Sequence, residues 1–302
     1  MVGRIAAISN QFHNQTHGDR AAFFGFFESV DDPAVAGALI DAVISWARER
    51  GFETLRGPMS PSVNDECGVL VEGFDTPPTI MMPHNPPYYG ALLEKAGFSV
   101  VKNLLAYQGG DLTEYKPVPE RLTRATELMR RRPGLTLRPL DMSRFDEELR
   151  TVRRLFNAAW SGNWGFVPFT EHEIEHIAAE LKPIVIPEMV PIAEKDGEPV
   201  GFGVALADLN QVLIRNRSGR FVPGLLRILW ALKARRFRRA RILLLGVDPE
   251  FQGRGIDASR LDQGDMDAEG PELESQDVGH GFEGALGQIE GAGPADACRR
   301  PR

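Results

Sequence analysis

The stretch Gly246-Val-Asp-Pro-Glu-Phe-Gln-Gly-Arg-Gly-Ile-Asp257 follows an apolar run, Arg241 to Val247, and sets Gly253 and Gly255 where a strand hands over to a loop. Glycines so spaced leave backbone N–H groups uncovered. Several such donors facing one concavity bind a diphosphate, and a helix start adds about half a positive charge there. Gln252 and Arg254 flank these amides, and Arg254 has the length to reach a phosphate oxygen. No Gly-Lys-Ser/Thr follows and Gly-x-Gly-x-x-Gly is absent, so the loop is neither a Walker loop nor a dinucleotide fingerprint. By itself Gly-Arg-Gly after a strand is a weak signal and reads first as a plain tight turn.

Other chemistry-bearing residues have bland readings beside the sharp ones. His13 and His17 have the spacing of a zinc-binding helical turn, but Asn10 to Asp19 reads as loop and no third ligand is evident, so no metal site is expected. His172 and His176 sit one helical turn apart beside Glu173 and Glu175, as on a solvated face. Residues 224–241 are amphipathic and basic. That pattern fits a docked helix with a wet basic side, attraction to adenosine phosphates, or an anionic lipid surface. Interleaved aromatics or a nucleic-acid reader motif are missing.

The elements that must carry these residues follow from period and punctuation. Val2 to Asn10 and Val200 to Asp208 both read as strands of small apolar residues with an early glycine, a hint of internal duplication. In the first half, residues 21–29 read as a strand. Residues 33–50 form a helix stopped by Gly51, and 52–58 a short strand and turn. A helix at 85–98 and a strand at 99–108 close this half. In the second half, 135–141 is a strand and 144–160 a helix; 170–185 is a helix opened by the capping box Thr170-x-x-Glu173. Residues 189–206 form a hairpin turned at Asp196-Gly197, 223–240 a helix, and 241–249 a buried strand. This order implies sheets with helices packed on them.

A chain of 302 residues with 42% hydrophobic residues supports one large core or two ordinary ones, at roughly 100–200 residues per domain. Cys67 and Cys298 form no disulfide framework and no Cys-x-x-Cys pair, which points to a reducing compartment. Met1 is followed by Val-Gly-Arg-Ile and a mixed segment without a basic stretch leading into a long apolar run, and nowhere do about 18 apolar residues follow one another. Neither an export signal nor a membrane span is therefore expected, and the expected location is cytoplasmic. The net charge of −7 is concentrated in residues 259–302, which hold ten Asp or Glu against four Arg. The remainder is nearly neutral, so bulk charge names no partner.

With this context, Gln252-Gly-Arg-Gly-Ile-Asp257 after a buried strand resembles the pyrophosphate loop of the GNAT acyltransferases, which runs Gln or Arg, two residues, Gly, one residue, then Gly or Ala. Asp257 departs from that pattern. The resemblance extends over residues 135–258 in the order strand, two helices, hairpin, strand, loop. Residues 33–107 are similar to the later half of the same fold, with Phe27 to Asp32 where a glycine-rich loop would stand. The family likeness implies a mixed α/β (α+β) fold of two GNAT-like modules, each a mixed twisted sheet flanked by helices. The expected boundaries are a module without a phosphate loop at 1–115, a linker at 116–133, a module holding the acyl-CoA loop at 134–258, and an acidic, Gly-rich, disordered tail at 259–302. The likeness also implies a first module shortened at its start. After Ala258 the expected helix, strand and Tyr…Gly-Phe closing segment are not met, so the reading there is truncation or a shifted frame.

The implied activity is acyl-CoA-dependent N-acyl transfer, from acetyl-CoA or another acyl-CoA to an amine that the likeness does not identify, on a small molecule or a protein. The donor would lie along Leu245 and Val247 and on Gln252, Gly253, Arg254, Gly255, Ile256 and Asp257. Glu194 is the candidate base, with an ordinary solvated carboxylate as its alternative. Tyr88 and Tyr89 are candidate acids, with packing as theirs. Trp160, Trp164 and Phe166, in the loop that lines the acceptor side of that fold, would form an acceptor wall or plug the core. Neither nucleic acid nor a membrane surface is expected as partner on this reading. The alternatives are a CoA-binding regulatory protein without turnover and a membrane-surface adaptor working through the basic helix at 224–241.

Overall fold

A computed structural model describes residues 1–107, 124, 127, 131–234 and 237–252, and the backbone of 284–291. Of the expected linker only residues 124, 127 and 131–133 fall within it. The chain is mixed α/β and divides into two compact units. The first gathers Met1–Gly109, Trp164–Val167 and Gly279–Arg302; the second gathers Gly110–Asn163 and Pro168–Val278.

The first unit runs β1 (Gly3–Ile8), α1 (Gln11–His17), β2 (Ala21–Ser29), α2 (Pro33–Glu49), β3 (Thr54–Gly57), β4 (Met59–Ser60), β5 (Glu66–Cys67), β6 (Val69–Leu70), α3 (Tyr89–Lys95) and β7 (Phe98–Ala106). β1 and β2 pair antiparallel, whereas β2 and β3 pair parallel, which requires the crossover that α2 provides. α2 starts where Asp32 accepts from the Ala34 amide at 2.8 Å with Pro33 in the first turn, and Gly51 at φ +72° ends it. Its buried residues, Ala36, Ile40, Val43 and Ala47, recur at helical spacing and pack with Phe24, Phe27, Leu55, Leu93 and Phe98.

Two expectations change in this unit. Asn10 to Asp19, read from sequence as loop, contains α1. Asn10 accepts from the His13 amide at 2.9 Å, and Gly18 closes the helix at φ +66°, so both ends are capped by residues suited to it. The tail expected to be disordered supplies β12 (Gly284–Gly291), which pairs antiparallel with β3, β6 and β7. Ladder bonds need only main-chain donors and acceptors, so glycine-rich text without an apolar period does not prevent a strand from lying between two others. Residues 259–283 and 292–302 lie outside the described residues.

The second unit holds β8 (Leu135–Pro139), α4 (Phe145–Ala159), α5 (Glu171–Leu181), β9 (Pro191–Lys195), β10 (Glu198–Ala207), α6 (Asn210–Leu213), α7 (Phe221–Lys233) and β11 (Ala240–Val247). Its sheet is antiparallel in the order β11-β10-β9-β8. The β9–β10 hairpin turns at Asp196, φ +54°, and Gly197, φ +88°, the two positive angles that a twisted two-residue turn needs. The capping box at Thr170 and Glu173 is formed on both sides. Val152, Leu155, Phe156, Ile174, Ile192, Phe202 and Leu206 are buried in this unit.

Candidate functional site

β11 is the edge strand of its sheet among the described residues, paired on one side with β10. Next to β11, the Asp248 amide donates to the Val200 carbonyl at 2.8 Å. Antiparallel partners alternate between bonded and non-bonded pairs, so Gly246 bonds with Phe202 while Leu245 and Val247 turn their main-chain groups to the open edge. Further along, the register shifts between Val204 and Ala205, whose partners are Leu244 and Ile242. The extra residue is a β-bulge that bends the strand.

The outward carbonyls of this edge are already engaged. Trp160 donates its indole N–H to the Leu245 oxygen at 3.0 Å, and Gln252 Nε2 donates to the Val247 oxygen at 3.0 Å. Trp160 is set by stacking on Phe156, ring centroids 5.2 Å apart. A glycine at 246 makes this approach possible, because a Cβ there would stand 2.6 Å from Phe202 Cε1 and 3.2 Å from Ala159 Cβ. With carbonyls capped and N–H groups turned outward, the edge presents donors at i and i+2. That fits an extended ligand carrying amide or thioester carbonyls, laid down as an added strand.

Beyond Val247, Asp248 caps the Glu250 amide at 3.1 Å and Pro249–Phe251 makes one 3-10 turn. The Gln252 amide donates to the Pro249 carbonyl at 3.4 Å, and its side chain to Val247. The likeness places Gln252 on the acyl donor; in the structure its side chain ties the turn back to the strand. Gly253, Arg254, Gly255, Ile256 and Asp257 lie outside the described residues.

The expected acceptor wall is divided. Trp160 belongs to the second unit, whereas Trp164 and Phe166 belong to the first. Trp164 is partly exposed, but Phe166 is buried and its carbonyl accepts from His17 Nε2 at 2.9 Å, so Phe166 fills space rather than lining an acceptor face.

The acid and base candidates are occupied. Glu194 Oε1 accepts from Arg138 Nε at 2.6 Å, and the same guanidinium reaches the buried Glu148 at 2.9 Å, so Glu194 belongs to an ion network rather than standing as a free base. Tyr88 donates to the Ser29 carbonyl at 3.0 Å. Tyr89 donates to Glu28 at 2.6 Å and accepts from the Ser29 amide at 3.2 Å. Burial and the bond to Glu28 push the Tyr89 hydroxyl up to about 12, the wrong direction for a proton donor near neutrality. Both tyrosines pin the end of β2.

One cluster escaped the sequence reading. His13 is buried, with Nε2 3.2 Å from both Asp19 Oδ2 and Arg56 Nη1, and Arg56 donates to Asp19 at 3.0 Å. Burial lowers the His13 pKa below 6.5, outweighing the nearby Asp19 carboxylate. The cap residues Asn10 and Gly18 were the available signal that His13 and His17 share a helix. Among the described residues no group of three or more His, Cys, Asp or Glu is placed to hold a metal ion, and no helix is long and apolar enough to cross a membrane.

No family model matches the chain. Over 254 residues, 83% of its length, it is 39% identical to protein YghO of Escherichia coli and 39% identical to the bacterial ceramide synthase of Caulobacter vibrioides. It spans 64% and 65% of those two proteins, just short of two thirds. Among solved structures it is similar to a GCN5-related N-acetyltransferase from Sphaerobacter thermophilus, at TM-score 0.44 and 12% identity, over 96% of this chain and 76% of that one. It is also similar to the C-terminal DUF2156 domain of a putative lysylphosphatidylglycerol synthetase from Agrobacterium fabrum, at TM-score 0.36 and 13% identity, over 98% and 82% of the two chains.

Proposed function

We propose that the chain is part of an acyl-CoA-dependent N-acyltransferase whose acceptor is the amine of a long-chain amino alcohol. The observation that carries this reading is the 39% identity over 254 residues to a protein named as a bacterial ceramide synthase, since a ceramide is the amide of such an amine with an acyl chain. The outward N–H groups of Leu245 and Val247 support it. They would take the carbonyls of an extended acyl thioester, and the loop from Gly253 to Asp257 would follow directly at the diphosphate end.

In the reaction the neutral amine nitrogen forms a C–N bond to the acyl carbon. The C–S bond breaks, one ammonium proton is lost to a base, and the leaving thiolate takes up a proton. The edge donors hold the acyl chain in line and favour negative charge developing on its oxygen. Trp160 and Gln252 fix the strand by occupying the carbonyls that would otherwise compete for those donors.

The chain is incubated with a long-chain acyl-CoA and a sphingoid-type amine, following free thiol release and the amide by mass spectrometry. The expected result is equimolar thiol and amide. Acyl-CoA bound without product favours a second reading, a CoA-binding protein without turnover, which the engagement of Glu194, Tyr88 and Tyr89 supports. Absence of acyl-CoA binding at tens of micromolar overturns both.

A further inference from the structure

β10 and β11 are antiparallel neighbours, and such a pair needs only a two-residue turn. Here residues 208–239 intervene although Ala207 pairs directly with Ala240, so the whole segment leaves and re-enters the sheet at one point. Its neck is clamped. The Asp208 amide donates to the Arg239 carbonyl at 3.0 Å, Arg239 Nη2 lies 3.1 Å from the fully buried Asp208 carboxylate, and Gln211 bonds the Arg239 carbonyl at 3.2 Å. Beyond the neck, α7 packs on α6. Arg227 reaches the Arg215 carbonyl at 3.2 Å, and Asn216 the Arg220 carbonyl at 2.9 Å, so the two helices form a braced excursion.

The excursion shows its apolar residues outward. Of α7 only Gly224 and Ala231 are buried. Phe221 is 79% exposed, Val222 63%, Leu226 61% and Leu229 50%, and Leu225 and Trp230 lie on the same half of the helix. Leu213 and Ile214, at the end of α6, are exposed as well. Isolated exposed leucines are ordinary; a helix half made of them marks a binding surface. Charge names the partner: residues 209–247 carry ten Arg or Lys and no Asp or Glu, within a chain of net charge −7. An apolar helix face on a segment whose charged residues are all cations matches an anionic bilayer surface, where acyl chains take the leucines and phosphates take the arginines. At about 1.5 Å per residue the 13 residues of α7 fall short of the about 30 Å of a hydrocarbon core, so the helix lies in the interface.

We infer that the α6–α7 excursion docks this protein on anionic lipid surfaces, with the apolar half of α7 inserted and the arginines of its flanks on lipid phosphates. From sequence a lipid surface stands only as an alternative for this segment, because an amphipathic period does not say whether its apolar side meets protein or lipid. The inference stands apart from the acyl-transfer reading and needs no bound acyl-CoA.

The test is sedimentation of the full chain with vesicles of phosphatidylcholine alone and of phosphatidylcholine mixed with phosphatidylglycerol. The expected result is at least about tenfold tighter binding to the anionic vesicles, weakened by salt. Leu226→Asp with Leu229→Asp is expected to abolish it, and Arg217→Glu with Arg220→Glu to weaken it. All four residues are exposed, and circular dichroism with thermal unfolding checks that both variants stay folded. Equal or absent binding to the two vesicle types overturns the inference, as does unchanged binding by the leucine variant. It is also overturned if the wild-type chain is a dimer that the leucine variant splits and neither form binds vesicles.

Discussion

The indole of Trp160, at the end of α4, donates to the carbonyl of Leu245 on β11 at 3.0 Å, across 85 positions of sequence. Together with the Gln252 contact to Val247, it turns an ordinary strand edge into one that offers donors and hides acceptors. A protein strand adding to this edge would need both kinds of group, whereas a thioester ligand needs chiefly the donors.

Trp160→Phe is expected to keep the stack on Phe156 and lose the N–H. The Leu245 carbonyl would then be left to water, at a cost of about 1 kcal/mol in urea unfolding. Acyl-CoA affinity should fall several-fold in calorimetric titration, because the freed carbonyl can turn toward the ligand's own. Affinity equal to wild type would mean that the edge is not where the donor lies.

Much of the second unit was legible because its signals are local. Asp196-Gly197 can turn a hairpin by their own dihedral preferences, and Thr170 with Glu173 caps a helix without help from elsewhere. What stayed hidden depends on partners distant in sequence. Glu194 and Tyr89 look the same in sequence whether they meet a substrate or, as here, Arg138 and Glu28. Phe166 gives no sign in sequence that its carbonyl belongs to His17. α1 was the exception: its caps, Asn10 and Gly18, are local signals, yet the polar run between them reads as loop.

The first unit should lose stability at both ends of the pH scale. His13 is held below its free value of 6.5, so unfolding takes up a proton. Its neutral form contributes in full above about 6.5, and the contribution is lost as pH falls from there toward the lower folded value. Tyr89 is raised from 10.0 to about 12, so its contribution is present below about 10 and lost as pH rises toward 12. Urea midpoints measured across this range should drop on both sides. His13→Gln should flatten the acid limb and Tyr89→Phe the alkaline one; limbs that keep their slopes in these variants would assign them to other groups.

Glu148 is 3% exposed on α4, with Oε1 held by Arg138 at 2.9 Å and Arg144 at 3.8 Å. Its other oxygen is buried with no hydrogen-bond partner among the described residues. Removing Arg138 would therefore strand a charge that water cannot reach, whereas removing Glu194, 19% exposed, would leave the Arg138–Glu148 contact in place. Arg138→Met is expected to destabilise the chain by about 3 kcal/mol or more, and Glu194→Gln by about 1 kcal/mol or less. Adding Glu148→Leu to Arg138→Met should recover most of the loss, because an apolar pair of similar volume needs no compensation. Chemical denaturation of the wild type, these three variants and Glu148→Leu alone closes the Arg138–Glu148 cycle. If Arg138→Met alone costs no more than Glu194→Gln, the network does not hold α4 to its sheet.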